Sequence, residues 1–457
     1  MVHDLYILMI TAGVVSLLFK LLKQPVVLGY IVAGILVGPH LFGENLVSHE
    51  NVETWGNIGV LFVLFCIGLE FRLKNLFESG KVALVGAATI IGGMLLLGFG
   101  VGKSAELNTM NSLFLAAMLC MSSTTIVMKA VDEAGLSKAR FVKGATSILI
   151  FEDIVAVVLM VLLSSVAVKN SFEGSVLLEK IGVLVVTLVV WFVVGILIIP
   201  TLFRLVRKYL NDEILIVLSL GLCLGMVLTA EEAGFSSALG AFVMGMILAE
   251  TKESHRIEKL MAPLKNVFAA IFFVSVGMMI NPSSLAEYWP SILYVAVVII
   301  VGMIVFGTLG CWWGGETLHD AMLTGFSFVQ IGEFSFIIAA LGSNLGVTDP
   351  VIYPIIVAAS VLTTFLTPYI MKAATPCYNF IYNHASPRLK AKIDDREQKV
   401  AQAEQEASVA TENNGPTSAD KVRHAVRGTF VTKHVVDLFF KNMSENDQPH
   451  EEHQDKE

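Results

Sequence analysis

The chain has 457 residues, of which 55% are hydrophobic and 15% charged, with a net charge of -8 and a mean hydropathy of +0.72. Soluble domains hold about 25% charged residues, so a water-soluble globular protein is excluded and a membrane protein is indicated. No basic surface points to nucleic acid, and the five dispersed cysteines (Cys66, Cys120, Cys223, Cys311, Cys377) suit neither a disulfide framework nor a metal centre.

A membrane-spanning helix needs about 20 apolar residues. Breaks at Pro, Gly and charged clusters give thirteen candidate spans, numbered in order: 4–20, 25–41, 54–70, 81–102, 111–130, 143–168, 181–206, 212–231, 235–250, 264–281, 289–312, 319–343 and 350–374. These make residues 1–376 a transmembrane domain, with span 7 a linker. Residues 377–457 are expected to form a polar, partly disordered tail, broken at Asn413-Asn414-Gly415-Pro416, with some amphipathic character over 422–440.

Loops after the odd-numbered spans hold sixteen Lys and Arg, among them Lys20, Lys23, Arg72, Lys74, Lys129 and Lys265; the opposite side has Lys103, Lys169 and Lys180. The positive-inside rule then puts the N-terminus outside and the tail in the cytoplasm. Every basic residue before the tail falls at a loop or span end, so none is expected near the bilayer centre.

Span 2 reads Leu28-Gly29-Tyr30-Ile31-Val32-Ala33-Gly34 and span 9 reads Leu239-Gly240-Ala241-Phe242-Val243-Met244-Gly245, a displacement of 211 residues. Span 3 (Val63 to Gly68) and span 10 (Phe272 to Gly277) match at a displacement of 209. Span n therefore corresponds to span n+7. Seven is odd, so spans 1–6 and 8–13 are expected as inverted repeats, the arrangement of secondary transporters whose site lies where broken helices meet.

The offset also pairs span 5, with Met121-Ser122-Ser123-Thr124-Thr125, and span 12, with Gln330-Ile331-Gly332-Glu333. Hydroxyls, an amide, a glycine and a carboxylate inside apolar runs suit backbone that unwinds beside a wet cavity. Ser122, Ser123, Thr124, Thr125, Gln330, Gly332 and Glu333 are the expected polar lining.

Span 6 carries Glu152 and Asp153 in the middle of an apolar run. An ionisable pair there is costly and points to function. Desolvation disfavours a bare carboxylate, so the charge must be balanced by a proton or by a bound cation. Competition between the two at an alternating-access site is antiport. Adjacent helical residues project about 100 degrees apart. Asp153 is taken as the cation and proton ligand, with Glu152 tuning it.

These residues carry a family resemblance. The stretches PVVLGYIVAGILVGP (25–39), LFxxGLE (64–70), SSTTIV (122–127), FEDIVAVV (151–158), FFVSVGM (272–278) and QIGEFSF (330–336) resemble the monovalent cation:proton antiporter-2 family, especially its Kef-type members. The resemblance implies an all-α protein of thirteen spans with spans 5 and 12 discontinuous and crossing. It also implies a homodimer, elevator-like movement, and exchange of K+ or Na+ for H+ without an enzymatic step or cofactor. Two departures stand out. Glu152-Asp153 replaces the usual Gln-Asp or Asp-Asp, and no lysine is expected from span 10, which has no basic residue from Asn266 to Pro290. Stoichiometry leans to one-for-one, and no nucleotide-binding domain is expected. The competing readings are a sodium-coupled organic-solute symporter and a cation channel-like efflux system. An intramembrane aspartyl protease would need YD and GxGD settings, which are missing.

Overall fold

A computed structural model describes residues 2–22, 24–42, 47–71, 80–169 and 174–413. The stretch 422–440, the turn residues Asn414, Gly415 and Pro416, and the loop residues Lys23, Arg72 and Lys74 lie outside them. Among the described residues every regular element is helical. Among the described residues nine helical segments are long and apolar enough to cross a membrane: Val2–Leu21, Gly80–Ser104, Thr109–Glu133 (in two half-helices), Phe141–Ser164, Val186–Val206, Asp212–Glu232, Ser254–Met278, Trp289–Gly314 and Ile352–Lys372. Four shorter apolar helices, Val26–Val37, Thr54–Glu70, Ser237–Ala249 and Glu333–Ser343, fall on the remaining expected spans. The chain is an all-helical, multi-pass membrane protein.

Helix starts follow side-chain caps. Asn108 accepts from the Asn111 N–H at 2.8 Å, and Thr317 from the Asp320 N–H at 3.2 Å. Each satisfies a first-turn donor that has no intrahelical partner. Span 5 stops being helical between Leu119 and Thr124, and span 12 between Ser327 and Glu333. Both outgoing half-helices end the same way. Gly135 (φ +69°) and Gly346 (φ +63°) take the left-handed conformation, and Leu136 N–H bonds Val131 O as Val347 N–H bonds Gly342 O. That left-handed glycine followed by a six-to-one hydrogen bond is the Schellman helix end.

Spans 1, 2 and 3 pack with spans 8, 9 and 10, while spans 4, 5 and 6 pack with 11, 12 and 13. The repeated glycines make the closest approaches. A methyl group on Gly34 would lie 2.1 Å from Val274 O, and one on Gly277 2.1 Å from Ile31 O, so spans 2 and 10 touch backbone to backbone. Gly68 and Gly245 do the same for spans 3 and 9, at 2.3 and 2.2 Å from Phe242 O and Phe65 O. Lipid supplies no hydrophobic drive for helices to associate, so small residues that allow such approach hold the bundle.

Span 10 departs furthest from expectation. It begins at Ser254, well before residue 264, and runs through Pro263. The proline removes one hydrogen bond without ending the helix, because neighbouring groups compensate within a packed membrane bundle. Lys265 therefore sits inside the helix and not at its start.

One compact unit runs to Asp394, and the described residues from Asp395 to Asn413 belong to a second. Beyond span 13, Ala374–His384 packs back on span 12. His319 meets Thr375 Oγ1 at 3.2 Å and the Tyr378 ring edge-on at 5.0 Å. Tyr382 donates to Asp394 at 2.9 Å.

Candidate functional site

The two non-helical segments cross each other in mid-bundle. Gly332 N–H donates to Met121 O at 2.7 Å. The Gln330 carboxamide accepts from Ser123 N–H at 3.2 Å and donates to Ser123 O at 3.2 Å. Ser335 Oγ donates to Met118 O at 2.5 Å, and Ser360 of span 13 donates to Ile331 O at 3.0 Å. A side chain at Gly332 would strike the Ser122 backbone at 2.8 Å, so the crossing admits glycine alone there. Peptide groups released from the helix ladder thus find protein partners, as low-dielectric surroundings demand.

This geometry sorts the expected lining residues. Ser122 and Gln330 are buried and tied into the crossing, which they staple. Ser123, Thr125, Gly332 and Glu333 line a cavity beside it. Thr124 is half-buried and lies off its wall.

Span 6 passes directly beside the break. Glu152 is fully buried, and its Oε2 accepts from Ser122 N–H at 2.9 Å. Its other oxygen, Oε1, has no hydrogen-bond partner among the described residues. Asp153 is half-buried and makes no hydrogen bond to any described residue. The charged groups within electrostatic reach of it are Glu333, Glu152, Glu70 and Lys265. From span 11, Met303 approaches the break, its Sδ 4.0 Å from Ser122 Oγ.

Lys265 lies inside span 10, where no basic residue was expected, and within electrostatic reach of Asp153. Its Nζ meets Glu70 Oε1 at 2.7 Å, joining spans 10 and 3. The sequence signal was present, but Pro263 read as a helix end and placed the lysine at the interface. Arg72 and Lys74, the basic residues next to Glu70 in sequence, lie outside the described residues. Ser360 and Thr364, which line the cavity from span 13, were also missed.

The cavity has a volume of about 370 Å3 and lies between the two packing groups. Pro25, Val27 and Ile31 of span 2 form one wall; the half-helix after Ser123, the start of the half-helix at Glu333, and span 13 form the other. It extends from the crossing to Lys20, Gln24, Lys129 and Glu133. The half-helix Thr124–Glu133 sets that depth at about 15 Å, given about 1.5 Å of rise per residue.

A family profile described as "Sodium/hydrogen exchanger, transmembrane" matches residues 7–374. The chain is 30% identical to K(+) efflux antiporter 6 of Arabidopsis thaliana, over 81% of this chain and 63% of that one. It is 27% identical to the K(+)/H(+) antiporter subunit KhtU of Bacillus subtilis, over 82% and 93%. The chain therefore spans just under two thirds of the plant protein and nearly all of the bacterial one. Among solved structures, the sodium proton antiporter MjNhaP1 from Methanocaldococcus jannaschii shares the fold, with TM-score 0.59 and 17% identity, over 81% of this chain and 97% of that one. The profile match covers well over half of the sequence, and the chain belongs to the transmembrane sodium/hydrogen exchanger family, as one of its Kef-type members.

Proposed function

We propose that the chain exchanges an alkali cation for H+ across the membrane, with Asp153 as the group for which the two compete. The observation that carries this reading is the setting of Asp153. It is a half-exposed carboxylate, free of hydrogen bonds to described residues, at the level of a crossed helix break and among three further carboxylates and one lysine. Hard oxygen donors suit a dehydrated alkali cation, and a proton can neutralise the same group. Relatives named as K(+) efflux and K(+)/H(+) antiporters favour K+ over Na+ as the cation. The family is one of transporters, not enzymes.

The packing groups suggest how access alternates. Spans 1–6 and 8–13 are read as inverted repeats with span 7 as linker. Spans 4–6 and 11–13 form a core that slides against spans 1–3 and 8–10 in a homodimer. The cavity lies on that sliding surface. By the loop-charge asymmetry its Lys20 and Glu133 end is read as cytoplasmic and the N-terminus as outside, and the membrane is read as the cell membrane.

The test is a reconstituted vesicle holding a pH gradient. Adding K+ or Na+ should dissipate the gradient with wild-type protein, and Asp153→Asn should abolish the effect. Cation-dependent proton flux at full rate in Asp153→Asn would overturn the assignment.

A further inference from the structure

Asp153 does not line the cavity; Glu333 does. Glu333 is half-buried, makes no hydrogen bond to a described residue, and opens the half-helix Glu333–Asn344 at the crossing. The other acid on the cavity wall, Glu133, lies a half-helix away and pairs with Lys129 at 3.7 Å. At the depth of the crossing, Glu333 is therefore the wall carboxylate, and the hydroxyl-bearing Ser123, Thr125 and Ser360 line the same space.

A second contact locates Glu333 between the packing groups. The ring of Phe336, one helical turn along, meets Phe273 of span 10 edge-on at 5.9 Å. Lys265 lies eight residues, about two turns, before Phe273 in the same helix. The Lys265–Glu70 pair of spans 3 and 10 lies within electrostatic reach of Glu333, as does Asp153 of span 6.

We propose that Glu333 is a second cation site, a staging point where an alkali cation entering the cavity rests before it reaches Asp153. This rests on the antiport reading above. The carboxylate supplies the charge, and the Ser123, Thr125 and Ser360 hydroxyls supply oxygen donors. The helix N-terminus at Glu333 presents about half a positive charge, which offsets part of the carboxylate. The cation is consequently held loosely. A transit site has to bind well enough to fill and weakly enough to empty.

A site on one access path has a one-sided signature. The full-length chain is reconstituted in vesicles of known orientation, and half-saturating K+ or Na+ is measured from each side. Glu333→Gln should raise it about tenfold from the Lys20 and Glu133 side, the equivalent of about 1.4 kcal/mol, and less than about twofold from the other. Glu333→Asp should recover most of the loss. Thr125→Val, which leaves every carboxylate in place, should show a smaller rise on the same side and serves if Glu333→Gln does not fold. Equal rises from both sides, or no rise from either, would overturn the staging site. Wild-type protein without cation-dependent proton flux would instead sink the antiport reading itself, independently of how Glu333 variants behave.

Discussion

Gln330 and Ser123 are joined twice: the carboxamide of one accepts from the N–H and donates to the C=O of the other, each at 3.2 Å. The two residues are 207 positions apart, and both are buried. This clasp holds the crossing of spans 5 and 12. Gln330→Ala leaves a buried donor and acceptor without partners, at a cost of about 1–3 kcal/mol each. The expected result is a lower melting temperature in detergent together with slower exchange. Gln330→Glu keeps the acceptor for Ser123 N–H, but its ionised form sets a buried charge against Ser123 O, so at a pH where it is ionised it should destabilise at least as much as Gln330→Ala. A melting temperature unchanged in Gln330→Ala would remove the clasp from the account.

Glu152 and Asp153 are neighbours with separate tasks. Glu152 Oε2 satisfies the Ser122 N–H at 2.9 Å, whereas Asp153 is free of hydrogen bonds to described residues. Glu152→Gln retains an oxygen acceptor for that N–H. It should leave the fold intact and preserve exchange, with an altered pH profile because one titrating group near Asp153 is gone. Glu152→Ala orphans the N–H and should destabilise by about 1–3 kcal/mol. Thermal melts of the two variants, read beside their pH–rate profiles, separate the structural role from the electrostatic one. Identical behaviour of Gln and Ala would show that the Ser122 bond is unimportant.

The repeated glycines carry packing in pairs, so their substitution should be costly in pairs. Gly34→Ala and Gly277→Ala each force a methyl into a carbonyl at 2.1 Å, and overpacking of this kind costs about 1–3 kcal/mol. Gly221→Ala meets nothing within 4 Å and should be neutral or mildly stabilising, because alanine favours the helix by about 1 kcal/mol over glycine. Melting curves of the three variants check this. Equal losses in all three would mean that glycine content, not close approach, sets stability.

The crossing was legible because apolar runs have little other use for hydroxyls, an amide and a glycine, and because the offset of 209 to 211 residues paired the two interruptions. The carboxylate pair stood out for the same reason. What the sequence withheld was direction. Whether Gln330 faced water or backbone depends on its rotamer, and here it turned to Ser123. Ser360 and Thr364 read as ordinary helix hydroxyls, since nothing local reveals that span 13 borders a cavity. Lys265 was hidden by a rule that is sound in water: a proline two residues earlier marks a helix end there, but a packed membrane bundle tolerates it.

The Lys265–Glu70 pair yields the last prediction. The Glu70 side chain is 51% exposed and that of Lys265 26%. Screening by water then limits the contribution of the pair to stability to below about 1 kcal/mol, so its removal should scarcely move the melting temperature. Its effect belongs to transport, because Lys265 lies within reach of Asp153 and Glu333. Glu70→Gln leaves the ammonium without its counter-ion and repels an arriving cation, so half-saturating cation concentration should rise several-fold. Lys265→Gln removes that positive charge, and the same quantity should fall several-fold. The two changes have opposite signs, so the double variant should return close to wild type. Flux titrations of the four proteins in vesicles decide the matter. If both single variants shift the same way and both lose thermal stability, the pair is a brace between spans 3 and 10 with no part in cation binding.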